Sequence, residues 1–319
     1  MKKTILFSNL FCLLFLGFNN LLQAQSRQFD QSFSGADKIE MDIPIGLVEI
    51  KPSPSAEILV KGYFDDDKIE GKAWKDGSTL KIVEKTRRKN QDSAESRWEL
   101  LVPEGMDIQA NFGTGNVALT SFTGQLKGNA GTSGLKMKDC KGAIKWNTGT
   151  GACLIQDCKG ELNLNTGTGD IHLENVSGEF SANSGTGNLT AENCQGKINL
   201  NSGTGDVKAG GLTLTDASNF NAGTGNVQVA LGSPASADLS VNSGTGKAIL
   251  KFNGHAFAGS LVMSCQKDDG TILAPYDFDE EWTERQGKKN QVIYKRKQFG
   301  EAGNEVRVGT GSGKAIVSE

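Results

Sequence analysis

The chain has 319 residues and a formal net charge of −3 at pH 7, from 34 basic and 37 acidic residues. This balance argues against a nucleic-acid-binding protein, in which Lys and Arg concentrate on one face. The 41 glycines are too many for a mainly helical protein, because glycine destabilises helix interiors.

Residues 1–24 are predicted to be a secretory signal peptide. Lys2 and Lys3 form its charged start, an apolar run extends from Leu10 to Phe18, and the small residue Ala24 ends it. The run is shorter than the ~20 apolar residues of a membrane-spanning helix, and a retained anchor is the alternative. We therefore expect an extracytoplasmic protein, in the periplasm, on the cell surface or secreted, with no transmembrane span after signal removal.

Removal of the signal peptide leaves a formal charge of 32 − 37 = −5. Cys12 follows the bulky Phe11, so it is interpreted as part of the signal and not as a lipidation site. The basic clusters at Lys85–Lys89 and Lys288–Lys297 are short and flanked by acids. No nucleic-acid partner is predicted.

Residues 25–110 are predicted to form an irregular β cap that is continuous with the structure that follows. Alternating apolar and polar residues indicate strands at Lys38–Lys51, Ser55–Tyr63, Thr79–Thr86 and Arg97–Val102.

A motif of the form Asn-x-Gly-Thr-Gly recurs through residues 111–252. Successive copies are 18, 18, 18, 18, 18, 20 and 21 residues apart, and the second is a Gly-Thr-Ser-Gly variant. A fixed period of this size predicts a solenoid with one coil per repeat. The motif asparagines are Asn111, Asn129, Asn147, Asn165, Asn183, Asn201, Asn221 and Asn242.

Period-two alternation within each repeat predicts two short strands per coil. One turn is expected at the motif and a second ends at a repeated glycine such as Gly160, with glycines supplying positive φ at both. The fold is therefore predicted to be an all-β, single-stranded parallel β-helix with Asn and Thr ladders between coils. A right-handed helix is expected, because crossovers between parallel strands are almost always right-handed.

Five cysteines remain in the mature chain. Cys140, Cys158 and Cys194 share one repeat position, which Phe122 and Val176 fill in other coils. This interchange indicates an inward column in which cysteine packs as a small apolar residue. A disulfide or a metal thiolate site is the alternative.

Residues 253–319 are predicted to form a hairpin excursion and a final coil. Strands are expected at Ala256–Met263 and Gln291–Lys297, and the repeat resumes at Thr310. The acidic stretch from Asp277 to Glu284 surrounds Trp282. It is interpreted either as a ligand-contacting lip or as a solvated hairpin that covers the last coil.

Two β-helix codes with known chemistry do not fit this repeat. A hexapeptide code needs an aliphatic residue every six positions, but Thr123 and Lys141 follow Val117 and Leu135 at that distance. The calcium-binding nonapeptide code needs a regular Asp, whereas the residue after the second motif glycine varies.

Catalytic candidates are few. Asp170 and Asp206 share a column two coils apart, about 9.6 Å by strand spacing. Asp139 and Asp157 lie beside the second turn, where Asp is a common turn residue. Paired carboxylates are what glycan hydrolysis requires, so either pair is a conceivable acid–base pair.

The two histidines, His172 and His255, are too few for a multi-histidine metal site, and His172 is expected to point outward between two apolar residues. No catalytic residue, no cofactor-binding residue, no cofactor and no metal ligand is predicted.

Several sequence pieces follow one another in a characteristic order: Leu101–Gly105, Ile108 and Ala110, Gly113–Val117, the repeated motif, Asn253–Gly254 and the closing Gly309–Gly313. In this order, which covers nearly all of the mature chain, the sequence resembles the putative-adhesin β-strand-repeat family of exported bacterial proteins, a domain of unknown function. The resemblance implies a β-helical fold and a location in the envelope or on the surface, and it carries no catalytic residues.

Three functions remain open after this comparison. The first is a non-enzymatic, adhesin-like surface protein that presents a repetitive polar surface to envelope glycan or to another envelope protein. The second is a polysaccharide-acting lyase or hydrolase, and the third is a structural envelope-stress factor. The sequence leaves the oligomeric state open.

Overall fold

The computed structural model describes residues 27–87, 95–286, 290–301 and 303–319. All regular secondary structure in these residues is β-strand, and most strand pairs are parallel. The predicted signal peptide, Cys12 and part of each basic cluster lie outside the described residues. Within these ranges no helix is long and apolar enough to cross a membrane.

Six strands form the N-terminal part of the chain. They are β1 Arg27–Phe33, β2 Lys38–Pro52, β3 Ile58–Tyr63, β4 Ile69–Asp76, β5 Thr79–Thr86 and β6 Arg97–Val102. The sequence pattern did not indicate β1 or β4. It also began β3 too early, because Ser53 Oγ donates to the carbonyl of Glu57 (2.7 Å) and holds this segment in a turn.

Fourteen strands form the regular coils. They are β7 Met106–Thr120, β8 Thr123–Lys138, β9 Lys141–Thr150, β10 Cys153–Gln156, β11 Lys159–Thr168, β12 Ile171–Glu174, β13 Ser177–Thr186, β14 Leu189–Glu192, β15 Gln195–Thr204, β16 Val207–Leu214, β17 Ser218–Ala222, β18 Val227–Leu231, β19 Leu239–Ser243 and β20 Lys247–Lys251.

Each strand of a regular coil pairs in parallel with the strand at the same place in the next coil. Leu162 in β11 pairs with Phe180 in β13, and Ile171 in β12 pairs with Leu189 in β14, both at an offset of 18 residues. The chain is thus a parallel β-helix with two strands per coil, which confirms the predicted fold class.

Six further strands complete the chain: β21 Gly259–Gln266, β22 Thr271–Leu273, β23 Glu280–Gln286, β24 Asn290–Phe299, β25 Glu305–Thr310 and β26 Lys314–Ser318. The predicted strand at Ala256–Met263 began too early, since β21 starts at Gly259, whose φ of 146° marks a turn. The pattern missed β22 and β23.

Two parallel ladders run the length of the rod. We call the outward surface of one ladder face A; it contains the first halves of β2, β7 and β8, then β9, β11, β13, β15, β17, β19 and β25. The outward surface of the other is face B; it contains the second halves of β2, β7 and β8, then β10, β12, β14, β16, β18, β20 and β26.

The layers at both ends are out of sequence order. At the C-terminal end, β25 and β26 lie between the β19–β20 coil and the β21–β22 layer. At the N-terminal end, β2 lies between β7 on one side and β5 and β6 on the other. Antiparallel strands cover both outer layers: β1, β3 and β4 at one end, and β23 and β24 at the other.

The core is the stack of inward side chains from both ladders. In the coil that begins at Lys159, Leu162 and Leu164 point inward from one strand and Ile171 and Leu173 from the other. Trp146 is fully buried, and its ring occupies the space beside Gly128, where a Cβ would lie 2.2 Å from a ring carbon. Packing against the Trp146 ring therefore requires glycine at position 128.

A row of buried hydroxyls lies at the second position of the motif. Thr166 Oγ1 donates to the carbonyl of Gly151 in the preceding coil (3.1 Å), and Ser202 Oγ donates to that of Gly187 (2.8 Å). The same bond to the preceding coil is made by Thr148, Ser184, Ser243 and Thr310. The hydroxyls thereby satisfy carbonyls at the coil corner.

The predicted role of the motif glycines was partly wrong. Glycines at the second turn, such as Gly160, do have positive φ (139°), but Gly167 in the motif does not. Strand β11 continues through the motif to Thr168, and a Cβ on Gly167 would lie 2.6 Å from the carbonyl oxygen of Gly149. Close stacking of coils, and not turn geometry, therefore requires most motif glycines.

Candidate functional site

The motif asparagines form one continuous row on face A. Each Nδ2 donates to the Oδ1 of the asparagine one coil earlier, and the seven bonds measure 2.7–3.5 Å from Asn111 to Asn242. This confirms the predicted Asn ladder. The row ends at Gly309, where a Cβ would lie 2.7 Å from Asn242 Oδ1.

The ladder leaves hydrogen-bonding capacity on every amide. A carboxamide has two N–H donors and an oxygen with two lone pairs, and the ladder uses one donor and one lone pair of each interior asparagine. Asn165 donates its second N–H to Asn163 Oδ1 (2.8 Å), and Asn183 donates to Ser181 Oγ (3.3 Å). Asn165, Asn183 and Asn201 are half-buried, and what the ladder leaves on every one of them is a lone pair of Oδ1. Their side chains are fixed before any ligand arrives, which lowers the entropic cost of binding.

A second polar row lies two residues before the Asn ladder on face A. Asn163 Oδ1 accepts a bond from Asn165 (2.8 Å), and Asn199 Oδ1 accepts one from Asn219 (3.0 Å). Ser181 continues the row between them. From Asn163 to Asn219, face A is thus lined with amides and hydroxyls.

The motif threonines that lie between two glycines are exposed at the corner beside face A. The Thr ladder predicted there has one hydroxyl bond among the described residues, from Thr132 to Thr114 (3.1 Å). The other motif threonines face solvent in separate coils: Thr150, Thr168, Thr186, Thr204, Thr224 and Thr245.

Two pairs of lysines stack on face A near its N-terminal end. Lys127 pairs in register with Lys145, and Lys141 pairs with Lys159. All four are exposed. These lysines were not predicted as a group, although the members of each pair are 18 residues apart in the sequence, which is one period of the repeat. Lys127 also borders a depression of about 280 Å³ that Glu40 and Asp42 line.

The carboxylates of Asp170 and Asp206 serve coil stacking. Asp170 Oδ1 accepts the backbone N–H of Asn188 (2.7 Å), and Asp206 Oδ1 accepts that of Asn226 (2.7 Å). Asn188 Oδ1 bonds to the backbone N–H of Asp206 in between (2.9 Å). The column therefore holds successive coil corners together, beside a shallow groove of about 510 Å³ on the adjoining face B.

The second turn is built from residues in the left-handed region. Asp139, Asp157, Asn175 and Asn193 have φ values of 54–55° there. Asn175 Nδ2 donates to Asp157 Oδ1 (2.8 Å), so this column is also used for stacking. His172 is half-buried and outward between the buried Ile171 and Leu173, as predicted from the alternation.

The cysteine column lies in the core, as its interchange with Phe and Val indicated. Cys140, Cys158 and Cys194 are buried and free, as are Cys153 and Cys265. Burial raises the pKa of Cys153 to about 12 and that of Cys194 to about 11. Within the described residues, no group of three or more His, Cys, Asp or Glu side chains is arranged to hold a metal ion.

Residues 36–273 match the family model described as Toastrack DUF4097, which is 238 of the 319 residues. The chain belongs to the Toastrack DUF4097 family. No curated protein matches it significantly.

Two solved structures are similar to this Toastrack chain. One is described as a putative cell adhesion protein from Clostridium sporogenes, with 12% identity, a TM-score of 0.21, and coverage of 92% of this chain and 99% of that one. The other is a putative adhesin from Bacteroides fragilis, with 17% identity, a TM-score of 0.40, and coverage of 66% and 92%.

The acidic stretch lies beyond the Toastrack match and forms the outer hairpin of the C-terminal end. Three of its carboxylates pair with basic residues of β24: Asp279 with Lys297 (2.8 Å), Glu280 with Arg296 (3.3 Å) and Glu281 with Lys295 (2.9 Å). The Trp282 ring stacks on Tyr294 with centroids 5.2 Å apart. This geometry supports the interpretation as a solvated covering hairpin.

Proposed function

We propose that this chain is an exported, non-enzymatic protein of the cell envelope or surface that holds polymeric glycan along face A. The observation that carries the proposal is the Asn ladder, which offers a fixed row of amide oxygens at strand spacing, about 4.8 Å per coil, each with a lone pair that the ladder does not use. Sugar hydroxyls bond to such groups through the same donor and acceptor chemistry.

Repetition gives this surface its affinity. A single amide–hydroxyl bond in water contributes about 1 kcal/mol, which corresponds to weak binding. A polymer that contacts several coils makes the later contacts intramolecularly, so weak contacts add. The engagement of Asp170 and Asp206 in coil stacking favours binding over catalysis at this corner.

The experiment compares face A with face B in the mature protein, residues 25–319. The double variant Asn163→Ala, Asn199→Ala removes two outward amides from face A while the Asn ladder stays complete. The matched control Thr190→Ala, Gln228→Ala removes two polar groups from face B. Binding to a panel of neutral and acidic envelope polysaccharides is measured by affinity electrophoresis.

We expect the face A variant to bind about fivefold more weakly, equivalent to about 1 kcal/mol, and the control to bind like the wild type. If the wild type retains no polysaccharide but captures an envelope protein, the glycan assignment is wrong. Equal losses in both variants would show that face A is not the binding surface.

A further inference from the structure

Four lysines, Lys127, Lys141, Lys145 and Lys159, form a compact basic surface on face A, which we call the lysine patch. Parallel pairing places Lys127 next to Lys145 and Lys141 next to Lys159, at about 4.8 Å between backbones. The two rows are four residues apart along the strands, which corresponds to about 13 Å.

The four lysines of the lysine patch form no ion pairs within the part of the chain that the structure describes. Among the described residues, none of the four ammonium groups lies within ion-pair distance of a carboxylate, whereas Lys197 on the same face pairs with Glu179 at 2.7 Å. Glu161 follows Lys159 by two residues on this face but forms no ion pair with it. Like charges on directly paired strand positions are destabilising, so folding does not explain their placement.

The patch lies beside the Asn ladder. Asn129 and Asn147 follow Lys127 and Lys145 by two residues, so they point outward from the same strands. An ammonium pair next to fixed amides matches a ligand that carries both negative charge and hydroxyl groups. A polysaccharide of acidic sugars has this combination in every repeat.

We propose that the lysine patch is a subsite for the acidic sugars of a polyanionic polysaccharide. The proposal rests on the proposed function and specifies its ligand class. The positions of face A around the patch are Gln125, Asn129, Ala143, Asn147, Glu161 and Asn163, and none carries the aromatic ring on which single-stranded nucleic acids stack. An acidic glycan therefore fits this surface better than a nucleic acid.

The test uses the mature chain and defined probes: polygalacturonate, dextran sulfate, uncharged dextran and a single-stranded oligodeoxynucleotide. There are two test variants, each with one pair of lysines replaced. The first is Lys127→Gln with Lys145→Gln, and the second is Lys141→Gln with Lys159→Gln. Lys208→Gln, Lys251→Gln is the matched control, because it makes the same change in net charge on face B. Each is titrated at two salt concentrations.

We expect the wild type to bind one or both acidic glycans more tightly than dextran, with affinity that falls as salt rises. Each test variant should lose about tenfold in affinity for that glycan at low salt, and the control less than about twofold. The two test variants should unfold at the same urea concentration as the wild type or higher, since each removes a like-charge pair.

Several results would overturn the proposal. If dextran and both acidic glycans bind equally well, the patch is not a subsite for acidic sugars, but the proposed function still stands. The same conclusion follows if the test variants bind like the control. Tighter binding of the oligonucleotide than of either glycan would assign the patch to nucleic acid. If the wild type binds none of these probes and none of the envelope polysaccharides, the proposed function fails as well.

Discussion

Replacing Thr166 by Val removes one hydroxyl from the buried row and leaves a side chain of nearly the same shape. Thr166 is 5% exposed, and its Oγ1 donates to the carbonyl of Gly151 at 3.1 Å. Among the described residues, no backbone N–H donates to that carbonyl. The substitution therefore leaves a carbonyl at the coil corner without a partner.

The expected cost is about 1–2 kcal/mol of unfolding free energy. A buried polar group without a hydrogen bond costs about 1–3 kcal/mol, and the added methyl group recovers a part of this. Thr168→Val is the matched control, because it makes the same chemical change two residues away at an exposed position. The control should change stability by no more than about 0.5 kcal/mol.

Equilibrium urea unfolding, followed by circular dichroism and by tryptophan fluorescence, measures the difference. The midpoint of Thr166→Val should fall relative to both the wild type and Thr168→Val, with an unchanged slope. If the two variants have the same midpoint, the hydroxyl row contributes nothing to stability. The account of how coil corners are satisfied would then be wrong.

Three further predictions concern a buried carboxyl group, a glycine of the motif and the buried thiols. Burial raises the pKa of Glu84 above 4.5, so the wild type should lose stability as the pH rises from about 4.5 through the raised pKa. Glu84→Gln should remove this loss, which thermal melts at several pH values measure. If the melting temperatures of the wild type and the variant change with pH in parallel, the prediction is wrong. Gly167→Ala should lower the free energy of unfolding in urea by about 1–3 kcal/mol, because its Cβ would lie 2.6 Å from a backbone oxygen. Gly210→Ala is the control, since a Cβ there has no atom within 4 Å, and it should lower the free energy of unfolding by less than about 0.5 kcal/mol. Equal losses would refute the explanation by close packing of coils. The five free thiols, including Cys153 and Cys194, should react with Ellman's reagent only after unfolding, and rapid labelling in native buffer would show that the column is not closed.

The regular coils could be predicted because their information is local and repeated. Alternation of period two identifies the inward residues, and the 18-residue offset places like residues side by side, which predicted the Asn ladder and the cysteine column. The end layers could not be predicted. The pairing of β2 with β5 and β6 joins distant segments that share no repeat, so no sequence spacing announces it.

The candidate site likewise has a part that the sequence could predict and a part that it could not. The lysine patch could have been found by applying the 18-residue offset to charged residues, since Lys127 and Lys145 differ by one period. The polar character of Thr166 gave no indication that its side chain points inward. Only the stacking distance between coils shows that a corner carbonyl needs this hydroxyl.

The sandwiched layers at the two ends determine how a rod of this kind can change in length. Strand β2 and the β25–β26 coil each contact a layer on both sides, so a coil added outside them would have to displace the antiparallel covering strands. An inserted unit of 18 residues between two regular coils meets no such obstacle, and it adds one more asparagine to the ladder. Homologues of different length should therefore differ by whole coils in the middle of the rod while both ends stay the same.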